Sequence, residues 1–372
     1  MSIADAINNA RQKINNVYNA LAAKGATLPG TMNLDHMVTT VEAIPEFHQT
    51  ASLMNGWNAT INESGFVLTN TPFSTSDLNI VLPNVSSING ICFLGRNRFA
   101  NFTNLQSIDL QNIPLSDGSL YCTFRNCVNL SSVTGIPENV TNMAYTFQME
   151  SGWASEQGAV FNQNIQIPNS VTNMCSTFQN CPNLNQNIQI PNSVVDMSRT
   201  FYNCPNLNQN IQIPNSVINM ANTFSHCNRL NQPIQIPNSV VDMADTFYMC
   251  NSLNQPIQIP NSVINMTNTF SHCRSLNQNI QIGNSVTNMR QAFMSCDKFG
   301  QSIVILSPEV ANLAGAFSGF GSKGSYIYIP FNYSNNVRTT TFNSFVSEGL
   351  LYANGVSNNT RVNVQDLASL NT

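Results

Sequence analysis

The 372-residue sequence predicts an α/β repeat protein: a solenoid of 23-residue turns, each a short strand followed by a short helix, with a helical hairpin before it and a cap after it. Three observations predict it. One string of residues recurs in register along most of the chain, two hydrophobic periodicities alternate inside each copy, and charge is scarce while amides abound. Charged residues are 9% of the chain, against a usual ~25%. Asparagine alone supplies about one residue in six. Because the amides recur in register, they point to ladders rather than to a low-complexity tract.

The opening segment, residues 1–48, stands apart from the repeats. Ile3, Ile7, Ala10, Ile14, Val17 and Leu21 are spaced 4, 3, 4, 3 and 4, an apolar seam over three heptads. Gly25 ends that helix, Pro29-Gly30 turns the chain, and Leu34, Met37, Val38, Val41 and Ile44 mark a second, shorter helix that stops before Pro45. The seam outruns the helix that would cover it, and uncovered apolar surface marks an interface. Ile3, Ile7, Ile14, Val17 and Leu21 are therefore the expected attachment or oligomerisation residues. Residues 49–77 read as a linker and N-terminal cap.

The solenoid is expected over residues 78–325. Successive units read VTNMCSTFQNCPNLNQNIQIPNS, VVDMSRTFYNCPNLNQNIQIPNS and VINMANTFSHCNRLNQPIQIPNS, with Met143, Met174, Met197, Met220, Met243, Met266 and Met289 in one column. Phe124, Phe147, Phe178, Phe201, Phe224, Phe247, Phe270, Phe293 and Phe317 form another, and residues 151–158 read as an insertion. Within a unit, Val194, Met197, Phe201 and Cys204 have helical spacing, while Ile188-Gln189-Ile190 alternates like a half-buried strand. Pro191-Asn192-Ser193 separates the two, and Asn208-Gln209 turns the corner. No unit can bury its own apolar face, so stacking at ~4.8 Å per turn would join the strands into a parallel sheet. Ile167, Met174, Phe178 and Leu184 are expected inside. Copies 46 residues apart match better than neighbours: Val194-Val195-Asp196 resembles Val240-Val241-Asp242, and Val217-Ile218-Asn219 resembles Val263-Ile264-Asn265. Residues 326–372 read as a C-terminal cap: a strand at 326–330, a helix over 337–351 and a strand over 360–364.

Little in the chain suggests reaction chemistry. Cys127, Cys181, Cys204, Cys227, Cys250, Cys273 and Cys296 share one repeat slot on the apolar face, so they read as buried packing groups rather than metal ligands. His226 and His272 lie two turns apart, too far to share an ion. Nucleophile elbows, phosphate loops and HExxH zinc strings are missing, and neither a catalytic residue, a metal nor a cofactor is expected. Asp196 and Asp242 occupy a slot that other units fill with Asn, which suits a turn-capping role. The strand-centre column Gln166, Gln189, Gln212, Gln235, Gln258 and Gln281 is expected to face outward as a hydrogen-bonded amide ladder. Variable slots carry Arg199, Tyr202, Arg229, Tyr248, Arg274 and Arg290, the residue types that dominate recognition surfaces, and these are the candidate receptor contacts. A net charge of −4 without a basic stripe argues against nucleic acid. No apolar run is long enough to span a membrane, and the first residues lack the layout of a secretory signal.

The repeat string I-P-N-S-V-x-N-M-x-x-T-F-x-x-C-x-x-L-N-Q resembles the BspA-type leucine-rich repeat of bacterial surface proteins. It is also similar to the repeat of mycoplasma-type surface lipoproteins. The resemblance covers about two-thirds of the chain and implies a leucine-rich-repeat-like solenoid with a role in adhesion or ligand contact. Residues 17–31, Val17-Tyr18-Asn19-Ala20-Leu21 through Pro29-Gly30-Thr31, followed by Leu34, resemble the N-terminal segment of bacteriophage tail-fibre and baseplate proteins. That second resemblance implies a virion structural protein. Its N-terminus would bind other virion proteins, its solenoid would contact a host surface glycan or protein, and a homo-oligomer, by resemblance a trimer, would result. The alternative is a bacterial cell-surface adhesin.

Overall fold

The computed structural model describes residues 51–52, 58–62, 65–68 and 79–81 as strands, and then residues 99–110, 115, 117–150, 159–321, 325–331, 339–348, 350 and 362–371. The N-terminal hairpin with Ile3, Ile7, Ile14, Val17 and Leu21, and the 151–158 insertion, lie outside the described residues. The chain divides into two compact units. In the first, β1 (Ala51–Ser52) pairs antiparallel with β2 (Asn58–Asn62), and β2 pairs antiparallel with β3 (Gly65–Leu68). The second unit is the solenoid.

The solenoid's continuous seam is a parallel ladder through one slot of the repeat. Ser119, Asn142, Asn173, Asp196, Asn219, Asp242, Asn265, Asn288 and Asn312 bridge in succession. The Val195 amide donates back to the Thr172 carbonyl (2.9 Å), and the Met197 amide donates forward to the Asn219 carbonyl (3.0 Å). Each Asn or Asp also closes an Asx turn. Asp196 Oδ1 accepts from the Ser198 amide at 2.9 Å, and Asn219 and Asp242 do the same for Ala221 and Ala244.

The strand-plus-short-helix unit is corrected at this point. Residues 197–204 are not helical, although Val194, Met197, Phe201 and Cys204 are all fully buried. The segment is a chain of tight turns. The Thr200 amide donates to the Met197 carbonyl and the Tyr202 amide to the Arg199 carbonyl, each at 3.0 Å. Every second amide points along the solenoid axis instead, from Arg199 to Ala221, Phe201 to Thr223 and Asn203 to Ser225 (2.8–3.0 Å). Arg199 and Asn203 have φ of 54° and 53°, and equivalent positive values recur in every neighbouring turn. A helix allows neither left-handed residues nor amides spent on another segment. Turns separated by left-handed residues reproduce the 3–4–3 spacing of the buried side chains without a helix. Among the described residues the one α-helix is α1 (Thr340–Ser347).

The sheet is also shorter than expected. Near the start, β4 (Asn79–Val81), β5 (Ser107–Asp109) and β6 (Ser132–Thr134) pair in parallel. Near the end, β7 (Gln258–Ile259), β8 (Ile280–Ile282), β9 (Ser302–Ile305), β10 (Ser325–Ile329) and β11 (Val362–Asp366) form a second parallel sheet. Between them, residues 165–167, 188–190, 211–213 and 234–236 are not strands. The cause is the residue that follows. Leu306 stands in that slot and donates back to the Ile282 carbonyl. Pro168, Pro191, Pro214, Pro237 and Pro260 have no N–H to give. Where Gly283 replaces proline, β8 closes on β7; a Cβ there would lie 2.4 Å from the Pro260 carbonyl oxygen. Ile167, expected inside, is half-exposed, and the inward residue of its segment is Ile165.

The core is a set of columns. Phe99, Phe124, Phe147, Phe178, Phe201, Phe224, Phe247, Phe270, Phe293 and Phe317 stack in sequence with centroids 5.3–5.8 Å apart. Beside them Thr177, Thr200, Thr223, Thr246 and Thr269 are fully buried. The Thr200 hydroxyl reaches the carbonyls of both Met197 (2.8 Å) and Met174 (2.9 Å), tying two turns together. After the last turns, α1 is capped by the Thr339 hydroxyl and brings Phe345 against Phe317.

Candidate functional site

With the interior uniform, function falls to the side chains that the ladders leave outside. The slot cysteines are not among them. Cys204 Sγ donates to the Phe178 carbonyl (3.1 Å), Cys227 to Phe201 (3.1 Å) and Cys250 to Phe224 (3.0 Å), so each thiol is one more tie between turns. Burial pushes the Cys127 and Cys204 thiols up to about 12. Cys175, in a different slot, is half-exposed. No three His, Cys, Asp or Glu side chains come together as a metal-binding group among the described residues.

The amide ladder exists, but not in the predicted column. Gln166, Gln189, Gln212, Gln235, Gln258 and Gln281 are exposed, and Gln212 bonds within its own turn to Asn210 (2.8 Å). The cross-turn ladder runs through the corner asparagines. Asn185 Oδ1 accepts from the Asn208 amide, Asn208 from Asn231 and Asn231 from Asn254, each at 2.9 Å. The following glutamines, such as Gln209 at 3.1 Å, bond to the same oxygens.

Two exposed rows remain. One is apolar: Val195, Ile218, Val241 and Ile264, 36–48% exposed, stand one above another beside the Asn/Asp ladder. The other is aromatic. Tyr202, His226, Tyr248 and His272 follow one another with ring centroids 5.3, 5.2 and 5.6 Å apart and planes tilted by 53–67°. All four side chains are half-exposed. The tyrosines and histidines come from different slots: Tyr202 and Tyr248 precede the slot cysteine by two residues, His226 and His272 by one. In the histidine turns, buried Ser225 and Ser271 occupy the tyrosine slot and their hydroxyls meet Nδ1 of the next histidine at 3.0 Å. Histidine then takes a left-handed backbone (φ 62°), which carries its ring into the row. The same slot is left-handed at Asn180, Asn203, Met249 and Ser295, so the conformation belongs to the turn and the histidine ring follows it.

Charge flanks the row sparsely. Asp245 is half-buried, and burial raises its carboxyl above the usual range while a hydrogen bond from Asn268 and the charge of Arg199 oppose the rise. Burial lowers the His226 pKa and the Asp245 charge opposes that shift. Of the candidate contacts, Tyr202 and Tyr248 belong to the row, and Arg199 is exposed on the turn that leads into Tyr202. Arg229 and Arg274 are exposed just after the histidine turns, three residues beyond His226 and two beyond His272. Arg290 is exposed in another slot, with its amide bonded to Asn288. Sequence reasoning missed both histidines as surface groups. Their signal was the 46-residue alternation itself.

Comparison with known proteins bears on the repeats. The family model described as "Mycoplasma protein of unknown function, DUF285" matches residues 137–192, 191–281 and 219–323. The "BspA type Leucine rich repeat region" model matches residues 58–151. No curated protein matches the sequence. Among solved structures, the T. pallidum leucine-rich-repeat protein is similar at 17% identity over 63% of this chain and 90% of that one, with a TM-score of 0.35. A leucine-rich-repeat protein from Bacteroides ovatus matches at 17% identity over 74% and 86% (TM-score 0.30). A leucine-rich cell surface protein from Faecalibacterium prausnitzii matches at 14% over 77% and 97% (TM-score 0.30).

Proposed function

Because the chain belongs to the family described as "Mycoplasma protein of unknown function", matched over residues 137–323, and carries a BspA-type repeat region before that, we infer that it is a surface adhesin. The solenoid is a rigid, non-catalytic scaffold, and its turn face makes contact with an external partner. The observation that carries this reading is the Tyr202–His226–Tyr248–His272 row. Four adjoining rings are left half-exposed there, a longer run than the half-exposed pair Tyr121–Tyr145 or the pair Tyr326–Tyr328 among the described residues, and tyrosine and histidine offer apolar faces with a polar tip. Segment 1–48 serves attachment or self-association, and segment 326–372 serves as a cap over the last turn.

The virion reading rests on residues 17–34 alone. Neither family model reaches that segment, and the BspA-type match favours the adhesin.

The test is adhesion. Fluorescently labelled full-length protein is incubated with cultured animal cells and with bacterial cells, beside a Tyr202→Gln/Tyr248→Gln variant. Saturable binding to animal cells that the variant loses is the expected result. Binding confined to bacteria would favour the virion reading, and the absence of saturable binding to either would overturn recognition altogether.

A further inference from the structure

The row repeats along the solenoid axis, and a ligand that uses all of it must repeat as well. We propose that the Tyr202–His226–Tyr248–His272 row binds a linear anionic polysaccharide of β-linked disaccharide units laid along the axis; this rests on the recognition reading above.

Spacing supports it first. The rings are 5.2–5.6 Å apart, close to the advance of one sugar in an extended β-linked chain, so each sugar meets one ring. Aromatic faces attract the C–H-rich faces of pyranoses because the ring face is electron-rich. Chemistry supports it second. The row alternates Tyr, His, Tyr, His, so its period is two turns, the period of a disaccharide polymer and not of a homopolymer. Charge supports it third. Exposed arginines lie in three of the row's four turns, Arg199 before Tyr202, Arg229 after His226 and Arg274 after His272, while the Tyr248 turn carries half-buried Asp245. Cationic groups along the row suit an acidic sugar. Shape supports it last. Two open depressions among the described residues, about 190 and 380 Å³, are lined by residues within 236–281 and within 315–350, away from the row. A chain lying on a surface needs no pocket, and its affinity grows by adding contacts along its length.

Calorimetric titration of the full-length protein tests this with hyaluronan and chondroitin sulfate oligosaccharides of increasing length, and with neutral chitin oligosaccharides as the control. The anionic series should bind, tightening with length up to about four sugars, one per ring, and then levelling off. Tyr202→Gln/Tyr248→Gln and His226→Asn/His272→Asn should each weaken binding about tenfold or more. Both replacements copy residues that other turns hold in those slots, Gln179 and Asn203, so folding is preserved, which circular dichroism verifies. Equal binding of chitin fragments, affinity independent of length, unchanged affinity in both variants, or no binding would each overturn the proposal. Cell adhesion that survives glycosaminoglycan lyase but not protease would also overturn it, while leaving the adhesin reading standing with a protein partner.

Discussion

Single residues in this protein mostly serve their neighbours in the next turn. The slot cysteines show it best. Each thiol donates to a phenylalanine carbonyl one turn back, and only the protonated form can do so. Native Cys204, Cys227 and Cys250 should therefore label slowly with a thiol reagent and half-exposed Cys175 quickly; rapid native labelling at the slot would contradict their role. The same burial sets a pH limit. A thiol whose folded pKa is pushed from 9.0 to about 12 binds its proton more tightly folded than unfolded. Its contribution is intact below pH 9 and is lost as pH rises from 9 towards 12. The thermal midpoint should fall across that window, and less steeply in a Cys204→Ala/Cys227→Ala variant. The buried threonines make the companion case. Thr223→Val keeps the shape but removes the hydroxyl that serves the Met197 and Met220 carbonyls. Its expected cost is ~1–3 kcal/mol in chemical denaturation.

Elements are decided by which amides remain free to pair. The Val, Met, Phe and Leu slots, the Asn/Asp turn position and the buried cysteines were legible in the sequence, because burial leaves a periodic trace. Ile167, the second isoleucine of its I-Q-I string, was wrongly placed inside. The turn run was misread as a helix because helical spacing of side chains does not require helical hydrogen bonding. The better signal was Asn180, Asn203, Asp245 and Asn268 at left-handed positions, residue types that tolerate positive φ. The sheet was overextended for want of one count: the proline after every I-Q-I string but the last withdraws the donor that a ladder bond needs. Hydrogen exchange should show the difference, with Val195 and Ile218 amides protected and those of Gln212 and Gln235 exchanging faster. Gly283→Ala should part β7 from β8, since the new Cβ would meet the Pro260 backbone, and should lower the thermal midpoint. The aromatic row escaped sequence reading for another reason. It draws on two slots, so no single column of aligned repeats displays it.

At the scale of the whole solenoid, each turn meets only its two neighbours, so stability is close to a sum over turns and interfaces. Residues 217–262 form one two-turn block whose removal joins Ser216 to Val263, a junction identical in kind to the native one. That deletion should fold and still set Tyr202 beside a histidine, His272. Removing residues 217–239 alone should also fold but should bring two tyrosine turns together and break the row. Circular dichroism and oligosaccharide titration of the pair would separate folding from recognition. The direction of the inter-turn bonds has a mechanical consequence as well. From Met197 to Asn219, from Arg199 to Ala221 and from Phe201 to Thr223, the amides point along the axis. A load applied through the two ends of the solenoid would strain one interface at a time, peeling the terminal turn before the next is stressed. Each 23-residue turn that let go would release ~80 Å of chain. Tension along the chain would then be relieved in equal increments, and turns still stacked would offer a template on which the released ones could wind back.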